Sequence, residues 1–375
     1  TFCPACGSQD ISILPLPHPR NSMASDGQVI ERPLAKRSCQ ACGYGFHETP
    51  VTSVDLRHVF NDNYSLGQRD PKAEVTRAEH YAEAIENFLA GAGVLNPKHF
   101  VEIGCGMGTL LSLLTRRWHC EMALGVEPSK QLVDIARDKN DEGTVIWQGF
   151  AEDIASIHKD RFAMCLSVNV IEHTLSPAAF LRVCSNITHP EGHVLVICPD
   201  GGTPNLELLF YDHISSFTRP ALDAFAQKVG LRIIKSQVLE GPLLGFQMLL
   251  LKRSDELVPV LDMLVSPGQV RAEFLEVWKQ STGYLEQALK GRSYSLFGAG
   301  EFADLLAVYC PEIVNNAQSV VLDSPVLQTY SGKPVIETEV FLRTPDSVLV
   351  AAVNKRSWPA VKARFRALGK DIYHP

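Results

Sequence analysis

The chain has 375 residues, 45% hydrophobic and 21% charged, with a formal net charge of −7 at pH 7. That length exceeds one ordinary core and implies two or three domains, while the acidic balance disfavours a phosphate-rich partner such as nucleic acid. No apolar run is long enough to span a membrane and no signal peptide is visible, so a cytoplasmic protein with no membrane partner is expected.

The first element in chain order is a pair of knuckles, Cys3-Pro4-Ala5-Cys6-Gly7 and Cys39-Gln40-Ala41-Cys42-Gly43. Two residues between thiolates let both sulfurs reach one tetrahedral ion, and a closed four-cysteine set predicts a structural Zn²⁺. The metal then holds together a segment otherwise too small to fold. His18 and His47 lie nearby and are expected to be surface residues. Six further cysteines are scattered in apolar segments, a pattern that suits a reducing compartment better than a disulfide framework.

From Val51 to Asp70 the chain is polar and irregular, with Tyr64 inside it. Ala78 to Ala90 then reads as an amphipathic helix with Tyr81, Ile85, Phe88 and Leu89 on one face, ended by Gly91 and Gly93. Next comes an apolar strand entering a glycine turn, Val101-Glu102-Ile103-Gly104-Cys105-Gly106-Met107-Gly108. Glycines without Cβ allow the backbone to pass close to a ligand. The spacing differs from the dinucleotide fingerprint, and the acid Glu102 suits an amine-bearing or cationic ligand better than a pyrophosphate.

The segment resembles motif I of class I S-adenosyl-L-methionine (SAM) methyltransferases. Leu124 to Glu127 reads as a second strand whose terminal acid, about 20 residues past the glycines, suits a ribose hydroxyl pair. Val145 to Asp153 reads as a third strand and its exit loop, where Phe150 and the Ala151 backbone could meet an adenine. A fourth strand, Ala163 to Val168, leads into Asn169, Glu172 and His173, and Gly192 to Asp200 reads as a fifth. A SAM-binding Rossmann-like domain is therefore expected, with Glu102, Gly104, Gly106, Gly108, Glu127, Phe150, Ala151 and Asn169 holding the cofactor.

Past the fifth strand lies Phe210-Tyr211-Asp212-His213-Ile214-Ser215-Ser216-Phe217-Thr218. Ligands of doubly wound sheets sit beyond the carboxyl ends of the strands, so this stretch can overhang the site. An Asp beside a His can orient an imidazole for general-base work; a histidine capping the next helix, Arg219 to Val229, is the equal alternative. Arg271 to Leu289 reads as a helical linker with Phe274, Leu275, Val277 and Trp278 apolar. Tyr294 to Ala303 repeats the strand, glycine turn and helix, and Ser319 to Asp323, Ser331 to Ile336 and Ser347 to Ala352 continue the alternation.

The order of parts resembles the three-domain sugar C-methyltransferases, with a zinc domain, a central SAM domain and a C-terminal Rossmann-like domain. The resemblance covers nearly the whole chain and implies an α/β fold divided at 1–55, 56–255 and 256–375. Its most specific match is the family's Tyr-His-Glu-His-x-Ser-Tyr-Phe-Ser stretch, from Phe210 to Thr218 here. The implied base is His213 with acidic neighbour Asp212. Phe210, Tyr211 and Ser216 depart from the family pattern, as do Glu301 and Phe302, which replace a Lys-Gly pair. Tyr64 matches an N-terminal active-site tyrosine, and Tyr211 or Tyr64 would hydrogen-bond an enolate oxygen. The resemblance implies C-methylation of a nucleotide-linked keto-deoxy sugar. O- or N-methyl transfer to a similar small molecule is the alternative that the departures favour. RNA methylation and a non-enzymatic SAM-binding scaffold are the remaining readings. The oligomeric state is not fixed by the sequence.

Overall fold

The computed structural model describes residues 2–17, 20–54, 59, 71–139, 143–155, 157–254, 256, 266–325, 327–344 and 348–375. By contact density the chain divides into two compact units. One is Thr1–Ile13, Lys36–Leu208 and Asp212–Val270; the other is Leu14–Ala35, Leu209–Tyr211 and Arg271–Pro375.

The first unit is built on the apolar runs of the middle of the chain. Its strands are β1 (His99–Ile103), β2 (Met122–Glu127), β3 (Thr144–Gln148), β4 (Phe162–Val168), β5 (Thr188–Pro199), β6 (Leu231–Val238) and β7 (Phe246–Arg253). They lie in the order β3-β2-β1-β4-β5-β7-β6. β1 to β5 run parallel, and β7 is antiparallel to both β5 and β6. Side chains alternate across a strand. Val194, Val196, Leu249 and Leu251 therefore join one core, while Leu195, Ile197, Met248 and Leu250 join the other. Both faces are covered, which is why these strands read as continuous apolar runs. The order reverses between β1 and β4, the crevice where this fold class accepts ligands.

Helix α1 (Pro71–Ala90) carries Tyr81, Ile85, Phe88 and Leu89 buried on one face, as its periodicity predicts. It begins seven residues before the expected start, because proline is well placed in a first helical turn and the polar residues from Lys72 to Arg77 carry no apolar period. Strands β6 and β7 had not been expected. Helices α2 (Thr109–Trp118), α3 (Lys130–Asp138), α4 (Ala151–Ala155), α5 (Pro177–Ile187) and α6 (Arg219–Gln227) complete the alternation. A separate four-stranded sheet joins Ile11–Ile13, Lys36–Cys39, Gly45–His47 and Ser215–Ser216 in that order.

In the second unit, β8 (Tyr294–Phe297), β9 (Val320–Leu322), β10 (Thr329–Tyr330), β11 (Lys333–Glu337), β12 (Val348–Ala351) and β13 (Ile372–Tyr373) lie in the order β10-β11-β9-β8-β12-β13. Every pairing is parallel except β10 with β11. The helix Pro267–Leu289 buries Arg271, Leu275, Trp278, Thr282, Leu285 and Leu289, a 3.6-residue stripe. Val277, expected to be apolar packing, is 55% exposed because it falls off that stripe. A hairpin of Ser22–Met23 and Val29–Ile30 belongs to this unit, with Met23 bridged to Phe210. No helix among the described residues is long and apolar enough to cross a membrane.

Candidate active site

The carboxyl ends of β1 to β4 open on a cavity of about 580 Å³ in the first unit. Its floor is the glycine turn after β1. Gly104, Gly106 and Gly108 all adopt positive φ, at 73°, 53° and 69°. A side chain at Gly104 would overlap the Val170 side chain, and one at Gly108 would press on Ala136. At Gly106 nothing lies within 4 Å of the place a Cβ would take, so that position faces open space. Gly108 caps α2 and does not line the cavity, whereas Gly104 and Gly106 do.

Two acids meet this turn. Glu127 at the end of β2 accepts N–H groups from Gly106 (3.1 Å) and Ser129 (2.9 Å). Burial raises its pKa in spite of both bonds. Glu102 is 3% exposed, lines the cavity, and leaves Oε2 without a partner. Burial pushes its carboxyl well above the usual range, and the nearby Glu74 and Glu127 push the same way. An unsatisfied buried carboxyl costs roughly 1–3 kcal/mol or more, a cost that a bound ammonium or N–H donor would offset.

The opposite wall comes from β3 and β4. Phe150 is half-exposed, its N–H donates to Asp153 (2.7 Å), and Ala151 is buried beside it at the start of α4. Asn169 follows β4 with φ 55° and donates through Nδ2 to the Tyr81 hydroxyl (3.1 Å), while its buried Oδ1 has no partner. Tyr81 lines the cavity as well as the core, and burial pushes its phenol up to about 12. Its amphipathic helix position concealed this second role. Seven of the eight expected cofactor residues thus line one cavity.

Beside this wall lies a buried network of acids and imidazoles. His213 Nδ1 is 3.5 Å from Glu207 Oε2, and Ser216 donates to the other Glu207 oxygen (2.6 Å). Asp212, expected to orient His213, instead faces His173: its carboxylate is 3.6 Å and its main-chain oxygen 2.8 Å from His173 Nδ1. The two imidazoles meet edge to face with centroids 4.8 Å apart. His173 lines the cavity. Burial drives the His173 pKa down to about 4 and the Glu172 pKa up to about 7. Burial also opposes charge on His213, but Glu207, then Asp212 and Glu172, outweigh it and raise that pKa. Glu207 moves the opposite way, since His213, Lys36 and Ser216 outweigh its burial.

Tyr211 belongs to the second unit, where its N–H donates to Met23 (2.7 Å). Tyr64 and His18 lie outside the described residues. His47 is buried in a strand rather than on the surface, because it pairs across from Lys36 in the knuckle sheet.

The four knuckle cysteines converge. Cys3 and Cys42 sulfurs are 3.6 Å apart, as are those of Cys6 and Cys39, and all four lie within 4.8 Å of one another. Gly7 and Gly43 follow the second cysteine of each knuckle with φ 78° and 71°. The same sheet anchors the segment after His213. Ser215 and Ser216 pair with Phe46 and Gly45, the Tyr44 and Ser215 hydroxyls lie 2.7 Å apart, and Thr218 donates to the Cys42 carbonyl.

Residues 75–236 match the family of methyltransferase domains. A ubiquinone biosynthesis O-methyltransferase of Neisseria meningitidis serogroup C is 27% identical over 112 residues, 29% of this chain and 47% of that protein. One from Azorhizobium caulinodans is 34% identical over 99 residues, 26% and 38% of the two chains. The chain spans less than half the length of these curated relatives. Among solved structures, the Burkholderia thailandensis 1,6-didemethyltoxoflavin-N1-methyltransferase with S-adenosylhomocysteine superposes with a TM-score of 0.44 at 15% identity, covering 57% of this chain and 96% of that one. The Synechocystis magnesium protoporphyrin IX methyltransferase gives 0.38 at 14%, covering 47% and 83%.

Proposed function

We propose that the protein transfers the methyl group of SAM to a small molecule. The observation that carries this reading is the cavity floor, where the unpartnered Glu102 Oε2 and the open Gly106 position lie beside Glu127. These groups fit the cofactor. Glu102 and Asn169 Oδ1 are buried acceptors awaiting donors, Glu127 suits the ribose hydroxyls, and Phe150 offers an exposed ring to the adenine. SAM supplies a methyl group already activated on a sulfonium. The chain's work is then to position the acceptor and remove its proton.

The acceptor in this reading is a nucleotide-linked keto-deoxy sugar, methylated at carbon through an enolate, with a histidine of the buried network as base. The Phe210 to Thr218 stretch supports it. Transfer to oxygen is the second reading, favoured by the names of the curated relatives. Zn²⁺ fits the knuckles: four sulfurs at these separations match a tetrahedron with bonds of about 2.3 Å. Ten thiols without a disulfide fit a reducing compartment. Elemental analysis should find one zinc per chain, and none would refute the metal.

Mass spectrometry of nucleotide-linked keto sugars and polyhydroxylated aromatic acids, incubated with enzyme and SAM in D₂O, tests the reading. A methyl gain on the keto sugar, with deuterium entering beside the ketone without SAM, supports C-methylation. A methyl gain only on a hydroxyl, with no exchange, moves the reading to O-methylation. SAM binding with no product from either class would refute both.

A further inference from the structure

We propose that His173, rather than His213, takes the proton from the methyl acceptor; this rests on the methyl-transfer reading above. Three observations carry it.

The first is position. His173 forms part of the wall of the cavity that also holds Glu102, Gly106 and Glu127, whereas His213 does not line it and sits against Glu207 and the ring of His173. A base must come within hydrogen-bond reach of the proton it removes, and a residue of the cavity wall meets that condition.

The second is the tautomer. His173 Nδ1 lies 2.8 Å from the main-chain oxygen of Asp212. A carbonyl oxygen can only accept, so Nδ1 must donate and the lone pair of the neutral ring stays on Nε2. A main-chain oxygen cannot turn away or gain a proton, so it fixes this form more firmly than a carboxylate alone. Burial meanwhile keeps the ring uncharged at neutral pH, so no proton has to leave before the reaction begins.

The third is charge. The Asp212 carboxylate stands 3.6 Å from the same Nδ1, placed to stabilise the imidazolium that forms, as in carboxylate-backed catalytic histidines. The other groups around His173 are Glu172, His213 and Lys36, with Glu207 behind His213. Asp212 and Glu207 are the acids set against the two imidazoles, and Lys36 is the opposing cation.

The step balances. The His173 Nε2 lone pair bonds the acceptor's proton, and the electron pair of the broken C–H or O–H bond becomes the nucleophile. That pair bonds the methyl carbon, the S–CH₃ bond breaks, and its electrons stay on sulfur, giving neutral S-adenosylhomocysteine. The positive charge lost from sulfur reappears on His173 and leaves as a proton to solvent. Asp212 is a positioning residue in this scheme.

The test combines kinetics with nitrogen NMR. In H173N the amide can still donate to the Asp212 oxygen, but the basic nitrogen is gone. With whichever probe from the panel above the wild type methylates, kcat should fall about 10²- to 10⁴-fold, while KM and calorimetric SAM affinity change less than about threefold. D212N should lose less, since the main-chain oxygen still sets the tautomer. Imidazole ¹⁵N spectra of the wild type should show a neutral His173 protonated on Nδ1. Wild-type kcat in H173N, a proton on Nε2, or a charged His173 at pH 7 would overturn the assignment. A wild type that methylates no probe would sink the methyl-transfer reading instead, and the ¹⁵N spectrum would still decide the tautomer.

Discussion

The chain contains two strand–glycine–helix turns, and they differ in what surrounds them. After β1, Gly106 faces open space, Glu102 carries a buried oxygen without a partner, and Glu127 reaches the turn's own N–H. After β8, a side chain at Gly298 would strike Val353 and the Ala352 carbonyl, as one at Gly104 would strike Val170. Gly300, like Gly106, has nothing within 4 Å of its Cβ position, so the difference lies in the acids rather than in the glycines. Leu296 stands two residues before that glycine, where the first turn has Glu102. The acid after the next strand, Asp323, is occupied by Thr338 (2.7 Å) and by two bonds from Arg364 (2.7 and 2.8 Å). Glycines make close approach possible in both places. The unsatisfied acceptor is what distinguishes the first turn from one whose polar groups are already used.

Substitution at Gly106 should break this comparison most forcefully. In G106V the side chain would enter the open space, and φ 53° would be strained by roughly 1–2 kcal/mol. SAM affinity should fall at least about a hundredfold by calorimetry, about 2.7 kcal/mol. At the second turn, Gly300 has φ −108° and nothing within 4 Å of its Cβ position. G300A should therefore leave SAM affinity and thermal stability nearly unchanged. Equal losses in both variants would mean the turns are not different in kind.

Glu102→Gln sharpens the contrast through pH. A carboxyl whose folded pKa is raised binds its proton more tightly in the native state than in the unfolded chain. Stability is then greatest below its ordinary value near 4.5 and falls as pH rises toward the elevated folded pKa. The glutamine variant lacks that loss. Without ligand its Tm at pH 7 to 8 should exceed wild type by a few degrees, corresponding to roughly 1–3 kcal/mol. Its SAM affinity should drop about tenfold or more. A less stable variant that binds SAM as tightly as wild type would contradict the role given to Glu102.

The smallest effect is expected at Asp323, whose side chain is about half exposed. D323N removes an exposed ion pair worth about 0–1 kcal/mol. Melting curves should shift by no more than about 2 °C, with SAM binding untouched. A loss of SAM affinity there would mean that the second turn does take part in cofactor binding.

Much of the cavity lining was legible because its residues lie close to the ends of successive strands, where parallel-sheet topology brings them together. The paired knuckles were legible for a similar reason: two residues between cysteines already set the geometry of each half. What escaped was determined by long-range packing. Asp212 and His213 are neighbours in sequence, yet on a non-helical chain adjacent side chains diverge, so Asp212 meets His173 and His213 meets Glu207. Nothing in the spacing of Glu207 marks it as a partner. The anchoring of Ser215 and Ser216 to the knuckle sheet joins segments some 170 residues apart, with no local pattern to announce it. Tyr81 was read as core because burial and cavity lining use the same helix face. Strands β6 and β7 escaped although their apolar residues are evident, since a short apolar run alone does not separate strand from helix.

The most direct test of the difference between the turns is a calorimetric titration of the wild-type chain with SAM, repeated on G106V. The account predicts one equivalent per chain, lost in the variant. Two equivalents, or one that survives in G106V, would contradict it.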